Sequence, residues 1–314
     1  MPLTHHYTAV DGVNIHYVES GHHAAQKPIE TLVFLHGFPE YWGTWLKQLE
    51  FFACNYRVIA PDLPGYNLSD KPTDTGFYTV PNLISFMSKF IAAVSPNQPV
   101  TLIAHDWGGA IAWPLAAFNA SLLSRLVILN AAHPSTFTRE MINNSNQRSK
   151  SAYIHQLIEP DAESLLTQED YHYLVDKIMQ SQQPAIFTHE VLDAYRQVWQ
   201  QPGAINGMLQ YYRAMPQLAR NDAKKDTNDD ITVSSNSQVK HTSALKIPNI
   251  RINLPTLVLW GEQDLAFVNE NLDDLIQYVP NCTIKRFAHT SHWIQHERPN
   301  EVNNAISDFL TSKK

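Results

Sequence analysis

The chain has 314 residues, 44% of them apolar, enough for one large α/β domain with an insertion or for two domains. A dispersed net charge of −7 argues against nucleic acid as a partner, and no apolar run approaches the length of a membrane span. The two cysteines, Cys54 and Cys282, show neither metal-ligand spacing nor a disulfide framework, so a reduced, cytoplasmic compartment is expected.

Met1 to His6 has no basic region and no apolar stretch, so no signal peptide is expected there. Tyr7 to Val10 and Val13 to Val18 read as strands joined by Asp11-Gly12, a strong hairpin turn. His22-His23 fall in a polar loop and are assigned no metal. Thr31 to Leu35 is a continuous apolar run, as expected of a strand buried on both faces. It ends in His36-Gly37-Phe38-Pro39-Glu40, a loop that can turn a backbone N–H toward a ligand or can be an ordinary strand-to-helix turn. Trp42 to Phe52 reads as an amphipathic helix and Tyr56 to Ala60 as the next strand. That strand feeds the rigid turn Pro61 to Tyr66. Pro81 to Val94 has the apolar spacing of a helix, with proline in its first turn.

Pro99 to Ala104 is an apolar strand, Gly109 to Ala117 a helix, and His105-Asp106-Trp107-Gly108 the sharp turn between them. A strand-turn-helix with a reactive side chain at its apex is the context of a nucleophile elbow. Here Ala104 stands for the usual first glycine and Asp106 for the usual serine. Taken alone, Asp106 reads equally well as a helix N-cap. Pro114 inside the helix is expected to kink it or weaken its hydrogen bonding.

Arg125 to Leu129 is another buried strand, so strands alternate with helices and a mostly parallel sheet with helices on both faces is expected. From Thr136 to Arg220 the signals are helical, with helices expected at Tyr153–Ile158, Gln168–Met179, His189–Trp199 and Ala204–Met215. Residues 221–242 are too polar for core and read as an exposed loop. The sheet resumes at Pro255 to Trp260, continues at Thr283 to Phe287, and a last helix runs from Pro299 to Leu310. This gives three parts: a core over 1–133, a helical cap over 134–248 and a second core part over 249–314.

Asp106, Asp264 and His292 follow three separate strands, in the chain order nucleophile, acid, histidine. Asp264 reads also as a helix cap, and His289 competes with His292. His292 is preferred because Ser291-His292-Trp293 lies nearest the last helix.

With these motifs in place the chain resembles α/β-hydrolases of the epoxide hydrolase type over nearly its whole length. The matching stretches are His36-Gly37-Phe38-Pro39, Asp62-Leu63-Pro64-Gly65-Tyr66, His105-Asp106-Trp107-Gly108-Gly109, Gly261-Glu262-Gln263-Asp264 and Ser291-His292-Trp293. Leu63 stands where the family more often has Arg. The resemblance implies an α/β-hydrolase fold with an eight-stranded, mostly parallel sheet under a helical cap. It also implies a cis bond before Pro39 that aims the Phe38 N–H. Two cap tyrosines should hold the epoxide oxygen. Tyr153, six residues before Glu159-Pro160, resembles the first, and Tyr212 the second, with Tyr211 as its competitor. Each reads otherwise as a packing residue with its hydroxyl at the surface.

The implied reaction converts a small apolar epoxide and water to a vicinal diol through an alkyl ester on Asp106, with no cofactor and no metal. Asp264 orients His292, which deprotonates the water. The backbone N–H groups of Phe38 and Trp107 form the oxyanion hole. His36, Pro39, Tyr211, Phe267 and Trp293 are expected in the pocket wall, and Phe137 and Trp199 add to an apolar cap lining. A monomer or homodimer without membrane association is expected. The closest rival is a haloalkane or haloacetate dehalogenase with the same nucleophile. Phe38 lacks a second halide donor, and no arginine adjoins Trp107-Gly108-Gly109 to hold a carboxylate. A serine-type esterase is not expected with Asp106 in the nucleophile's place. A non-catalytic small-molecule-binding relative is the remoter alternative.

Overall fold

The computed structural model describes residues 2–21, 30–179, 186–215 and 245–312. The His22-His23 loop and the polar stretch 221–242 lie outside the described residues.

The eight strands are β1 (Thr4–Val10), β2 (Val13–Ser20), β3 (Thr31–Leu35), β4 (Arg57–Pro61), β5 (Val100–His105), β6 (Leu123–Leu129), β7 (Thr256–Gly261) and β8 (Cys282–Phe287). They form one sheet in the order β1-β2-β4-β3-β5-β6-β7-β8. β1 and β2 are the expected hairpin, and Asp11 and Gly12 take the positive φ that its tight turn requires. β2 runs antiparallel to β4, and every later pairing is parallel. The central strands are buried along their whole length, as their uninterrupted apolar runs require.

Strand order fixes where a site can form. The chain steps outward from β3 to β4, then back past β3 to β5. At that reversal the connections leave in opposite directions, and a crevice opens at the carboxyl ends of β3 and β5. The Gly37–Glu40 loop and the Asp106 turn are the two lips of this crevice.

Helices α1 (Leu46–Phe52), α2 (Val80–Val94) and α3 (Trp107–Phe118) come from the first half of the chain. α1 packs on one face with the C-terminal helix, while α2 and α3 pack together on the other. The expected helix at Trp42 starts with a 3₁₀ turn, Trp42–Trp45. α3 continues unbroken through Pro114. Proline removes one helical donor, but the buried side chains around it and the Trp113 indole, which donates to the Ala131 carbonyl at 3.0 Å, hold the helix against the sheet.

Between β6 and β7 the described residues are helical: α4 (Pro134–Asn143), α5 (Ser145–Lys150), α6 (Tyr153–Leu157), α7 (Ala162–His172), α8 (His189–Trp199) and α9 (Ala204–Arg213). They lie over the carboxyl end of the sheet, and all but the polar α5 share one apolar core with α2 and α3. The helix expected over Gln168–Met179 is corrected. Gln168 is extended, Glu169, Asp170 and Tyr171 are left-handed (φ 49°, 54° and 65°), and a wide π turn follows at Tyr173–Met179. Only Leu174, Val175 and Met179 of this stretch are buried, so its helical period holds over the second half alone and packing decides the rest. After β7 and β8 come α10 (Ile294–Glu297) and α11 (Pro299–Thr311). No helix of the described residues is long and apolar enough to cross a membrane.

Candidate active site

Asp106 sits between β5 and α3 at φ 50°, ψ −118°. A non-glycine residue in this region costs about 1–3 kcal/mol and persists only where its surroundings impose it. Three neighbours do so by lacking bulk. A Cβ on Gly37 would come within 2.7 Å of the Asp106 carboxyl carbon, and one on Gly108 within 2.7 Å of the His36 carbonyl oxygen. A Cβ on Gly109 would collide with Ala131. The close approach of β3, β5 and α3 therefore lifts Asp106 clear of the sheet. Its side chain makes no capping bond to α3, which removes the N-cap reading.

Asp106 Oδ1 accepts the Phe38 N–H at 2.7 Å, next to the cis Phe38–Pro39 bond. Its Oδ2 lies 3.6 Å from His292 Nε2, and His292 Nδ1 lies 2.8 Å from Asp264 Oδ2. Asp106, His292 and Asp264 are thus brought together in one line. The rival His289 has no such contact with Asp106 among the described residues. Trp107 opens α3, where backbone N–H groups have no acceptor within the helix.

Electrostatics follow from burial and partners. Burial opposes the charge on Asp264, but His292, Asn130 and the Ala266 N–H together hold its carboxyl below the usual range. Burial likewise opposes charging of His292. The Asp264 carboxylate and its hydrogen bond, with Asp106 and Glu40 behind, outweigh burial and push His292 up to about 9. Tyr153 and Tyr212 are shifted upward, chiefly by burial and further by the Asp106 charge, so both phenols stay protonated.

A cavity of about 440 Å³ opens over Asp106. Phe38, Asp106, Tyr153, Tyr212, His292 and Trp293 line its inner end, and Gln156, Gln168, His172 and Lys177 give it a polar rim. The rings of Tyr153 and Tyr212 are 6.3 Å apart, and Tyr212 stands edge-on to Phe38 at 5.1 Å and to Trp107 at 5.3 Å.

Of the side chains expected in the wall, only Trp293 lines the cavity. His36 is buried beneath the loop, where its Nε2 accepts the Leu63 N–H at 3.0 Å. The Pro39 carbonyl accepts the Trp199 indole N–H at 2.8 Å, so both residues serve as a seam. Tyr211 points away from Tyr212 and donates to the Pro64 carbonyl at 2.8 Å. Phe267 packs behind His292 and against Phe137, at ring distances of 6.0 and 5.9 Å.

The sequence motifs assign no role to several polar residues at the site. Asn130 directly follows β6 and donates to Asp264 Oδ2 at 2.7 Å. Glu40 is fully buried and accepts from the Gly37 N–H (3.0 Å), the Thr44 hydroxyl and Gln295 (3.0 Å). Its other partner is His105, 2.8 Å away, and His105 Nε2 in turn meets the His292 carbonyl at 2.9 Å. Burial opposes the charge on Glu40, but His105 and His296 hold it well below the carboxylate range. This network braces the loops that carry Phe38 and His292. The one sequence signal for it was a polar residue where an apolar one would fit, as at His105 inside a buried strand.

Comparison with known proteins gives the family of the chain. The profile of the α/β-hydrolase fold family matches residues 30–299. The AB hydrolase superfamily protein YfhM of Bacillus subtilis is 31% identical over 98% of both chains. Epoxide hydrolase 4 of Mus musculus is 31% identical, over 98% of this chain and 79% of that protein. The crystal structure of an epoxide hydrolase from Bacillus megaterium superposes with a TM-score of 0.84 at 30% identity, covering 98% of this chain and all of that one (100%).

Proposed function

The chain belongs to the epoxide hydrolase family of α/β-hydrolases, and from that premise we propose that it hydrolyses an epoxide to a vicinal diol through a covalent ester on Asp106. The observation that carries this reading is the placement of two protonated phenols, Tyr153 and Tyr212, on the cavity wall that also holds the Asp106 carboxylate.

Asp106 Oδ1 is held by the Phe38 N–H, which leaves Oδ2 to attack an epoxide carbon. As the new C–O bond forms, the ring C–O bond breaks and its electron pair passes to the oxide oxygen. Tyr153 and Tyr212 donate to that oxygen and supply its proton. The ester carries no charge, so His292 loses the contribution of Asp106 to its raised pKa. It becomes a better proton acceptor once the ester exists, with Asp264 still fixing its ring. His292 takes a proton from water, the hydroxide adds to the ester carbonyl carbon, and the oxyanion forms on the atom that faces the Phe38 and Trp107 N–H groups. Collapse releases the alkoxide, which takes the proton from His292, and the Asp106 carboxylic acid formed at the same time gives its proton to the phenolate left by epoxide opening, so every group returns to its starting state. None of these steps calls for a metal or cofactor. The substrate is a small epoxide with an apolar body, read from the aromatic inner wall of the cavity.

A panel of aryl and alkyl epoxides and haloalkanes tests the assignment. Diol should form from epoxides and halide release should be absent. Halide release without diol formation would assign the site to a dehalogenase.

The His292 shift sets a pH signature. Alkylation draws on the Asp106 carboxylate and the two phenols, which burial keeps protonated, and between pH 6 and 8 it does not wait on loss of a proton from His292. Ester hydrolysis needs neutral His292, so its rate should rise with pH and level off below about 9, the value held in the free site. Rapid-quench measurement of the two steps should find alkylation nearly flat over that range and hydrolysis climbing. Parallel pH profiles for both steps would contradict the switch in His292 basicity.

A further inference from the structure

Tyr153 and Tyr212 stand on cap segments, and besides their contacts within the cap each segment is tied to a core loop. Tyr153 follows α5 by three residues. Gln147 of α5 is fully buried, and its amide nitrogen donates to the Ala266 carbonyl at 2.8 Å. Its amide oxygen accepts from the Val268 N–H at 3.1 Å and from Asn271 at 2.8 Å. Lys150 donates to the Asp264 carbonyl. The loop so gripped is the one whose Ala266 and Phe267 N–H groups hold Asp264 Oδ1, at 2.6 and 3.1 Å. Gln147 therefore touches the acid loop on one side and sets the start of the Tyr153 segment on the other.

Tyr212 lies on α9, which rests on the 62–66 loop by backbone contact. A Cβ on Gly207 would come within 2.7 Å of the Gly65 Cα, and Gly65 itself has φ +91°. The next turn of α9 is pinned by Tyr211 to the Pro64 carbonyl (2.8 Å) and by Gln210 to the Thr75 hydroxyl (2.6 Å). Any side chain at Gly207 must push the helix off this seat, and Tyr212 rides one turn further along.

We propose that Gln147 and Gly207 are positioning residues that index the two phenols to the core, Gln147 setting Tyr153 together with Asp264 and Gly207 setting Tyr212 alone. The proposal rests on the reading of the site given above and adds a difference between the two chemical steps. Gly207 acts only on a group used in epoxide opening. Gln147 acts on a group used in opening and on the acid that orients the base.

Rapid-quench kinetics with an epoxide turned over by the wild type test this, because burst amplitude counts folded sites while rate constants report geometry. Gly207→Ala should slow ester formation by about 10–100-fold, the cost of a displacement of up to an ångström at a reacting group, and leave ester hydrolysis within about twofold. Gln147→Met should slow both steps. In a Tyr212→Phe background, Gly207→Ala should cost little more, since its effect passes through the missing hydroxyl. Unchanged rate constants in either variant, with only the amplitude reduced, overturn the positioning role in favour of a purely structural one. Equal slowing of both steps by Gly207→Ala, or full additivity with Tyr212→Phe, overturns the route through Tyr212. A wild type that forms no ester overturns the reading of the site itself, and this inference with it.

Discussion

His292→Gln should accumulate an enzyme adduct of substrate mass when mixed with an epoxide, and Asp106→Ala should accumulate none. The asymmetry follows from what each group supplies. A carboxylate is ionised at neutral pH and needs no base for its first attack. Removing the base His292 therefore leaves opening possible and removes the proton acceptor that hydrolysis needs. The ester should persist for hours, with steady-state turnover reduced by about 10⁴-fold or more, as for the loss of a catalytic triad member. Asp106→Ala loses the atom that forms the ester, so no bond can form however well the epoxide binds. It should remain folded, because the close approach permitted by Gly37, Gly108 and Gly109 still imposes the conformation at 106 and the shorter side chain adds no clash. Intact-protein mass spectrometry reads both outcomes. An adduct on Asp106→Ala, or none on His292→Gln, would remove the assigned roles.

The second large effect concerns the phenols. Replacing Tyr153 or Tyr212 with Phe removes one donor from an oxygen that gains nearly a full charge as the ring opens. The loss of one such donor costs about 3–4 kcal/mol, or 10²–10³-fold in rate. The double variant Tyr153→Phe/Tyr212→Phe removes both donors assigned to the oxide oxygen and should be nearly inactive toward epoxides. The loss should fall on ester formation and spare ester hydrolysis, which uses Phe38, Trp107 and His292. Single-turnover kinetics separate the two steps. Full activity in the double variant would show that the oxide oxygen is held elsewhere.

Much of this site was legible because it depends on local pattern. An apolar run, a tight turn with small residues and a helix together define the elbow at Asp106, and the strand ends at Asp264 and His292 follow the same logic. The wall of the cavity was less legible. Tyr211 and Tyr212 are neighbours in sequence, but a helix turns about 100° per residue, so one faces Pro64 and the other the cavity. His36 and Phe267 lie a layer behind the residues that line the site, a distinction that motif membership does not carry. The helix at Ser145–Lys150 is short and has no apolar residue, so its existence rests on partners far away in the chain. Asn130, Gln147 and Glu40 are recognised by what they touch. Their partners lie between 3 and 255 residues away in sequence, and no spacing rule joins them.

The covalent route is tested most directly by one turnover of the wild type, with enzyme in excess over epoxide, in ¹⁸O-labelled water. Water that attacks the ester carbonyl leaves its oxygen on Asp106, and the diol departs with an oxygen that began on the carboxylate. The first-turnover diol should therefore carry no heavy oxygen, and the peptide containing Asp106 should gain it. Heavy oxygen in the diol and none in the Asp106 peptide would mean that water opened the epoxide directly, and the ester mechanism would be wrong.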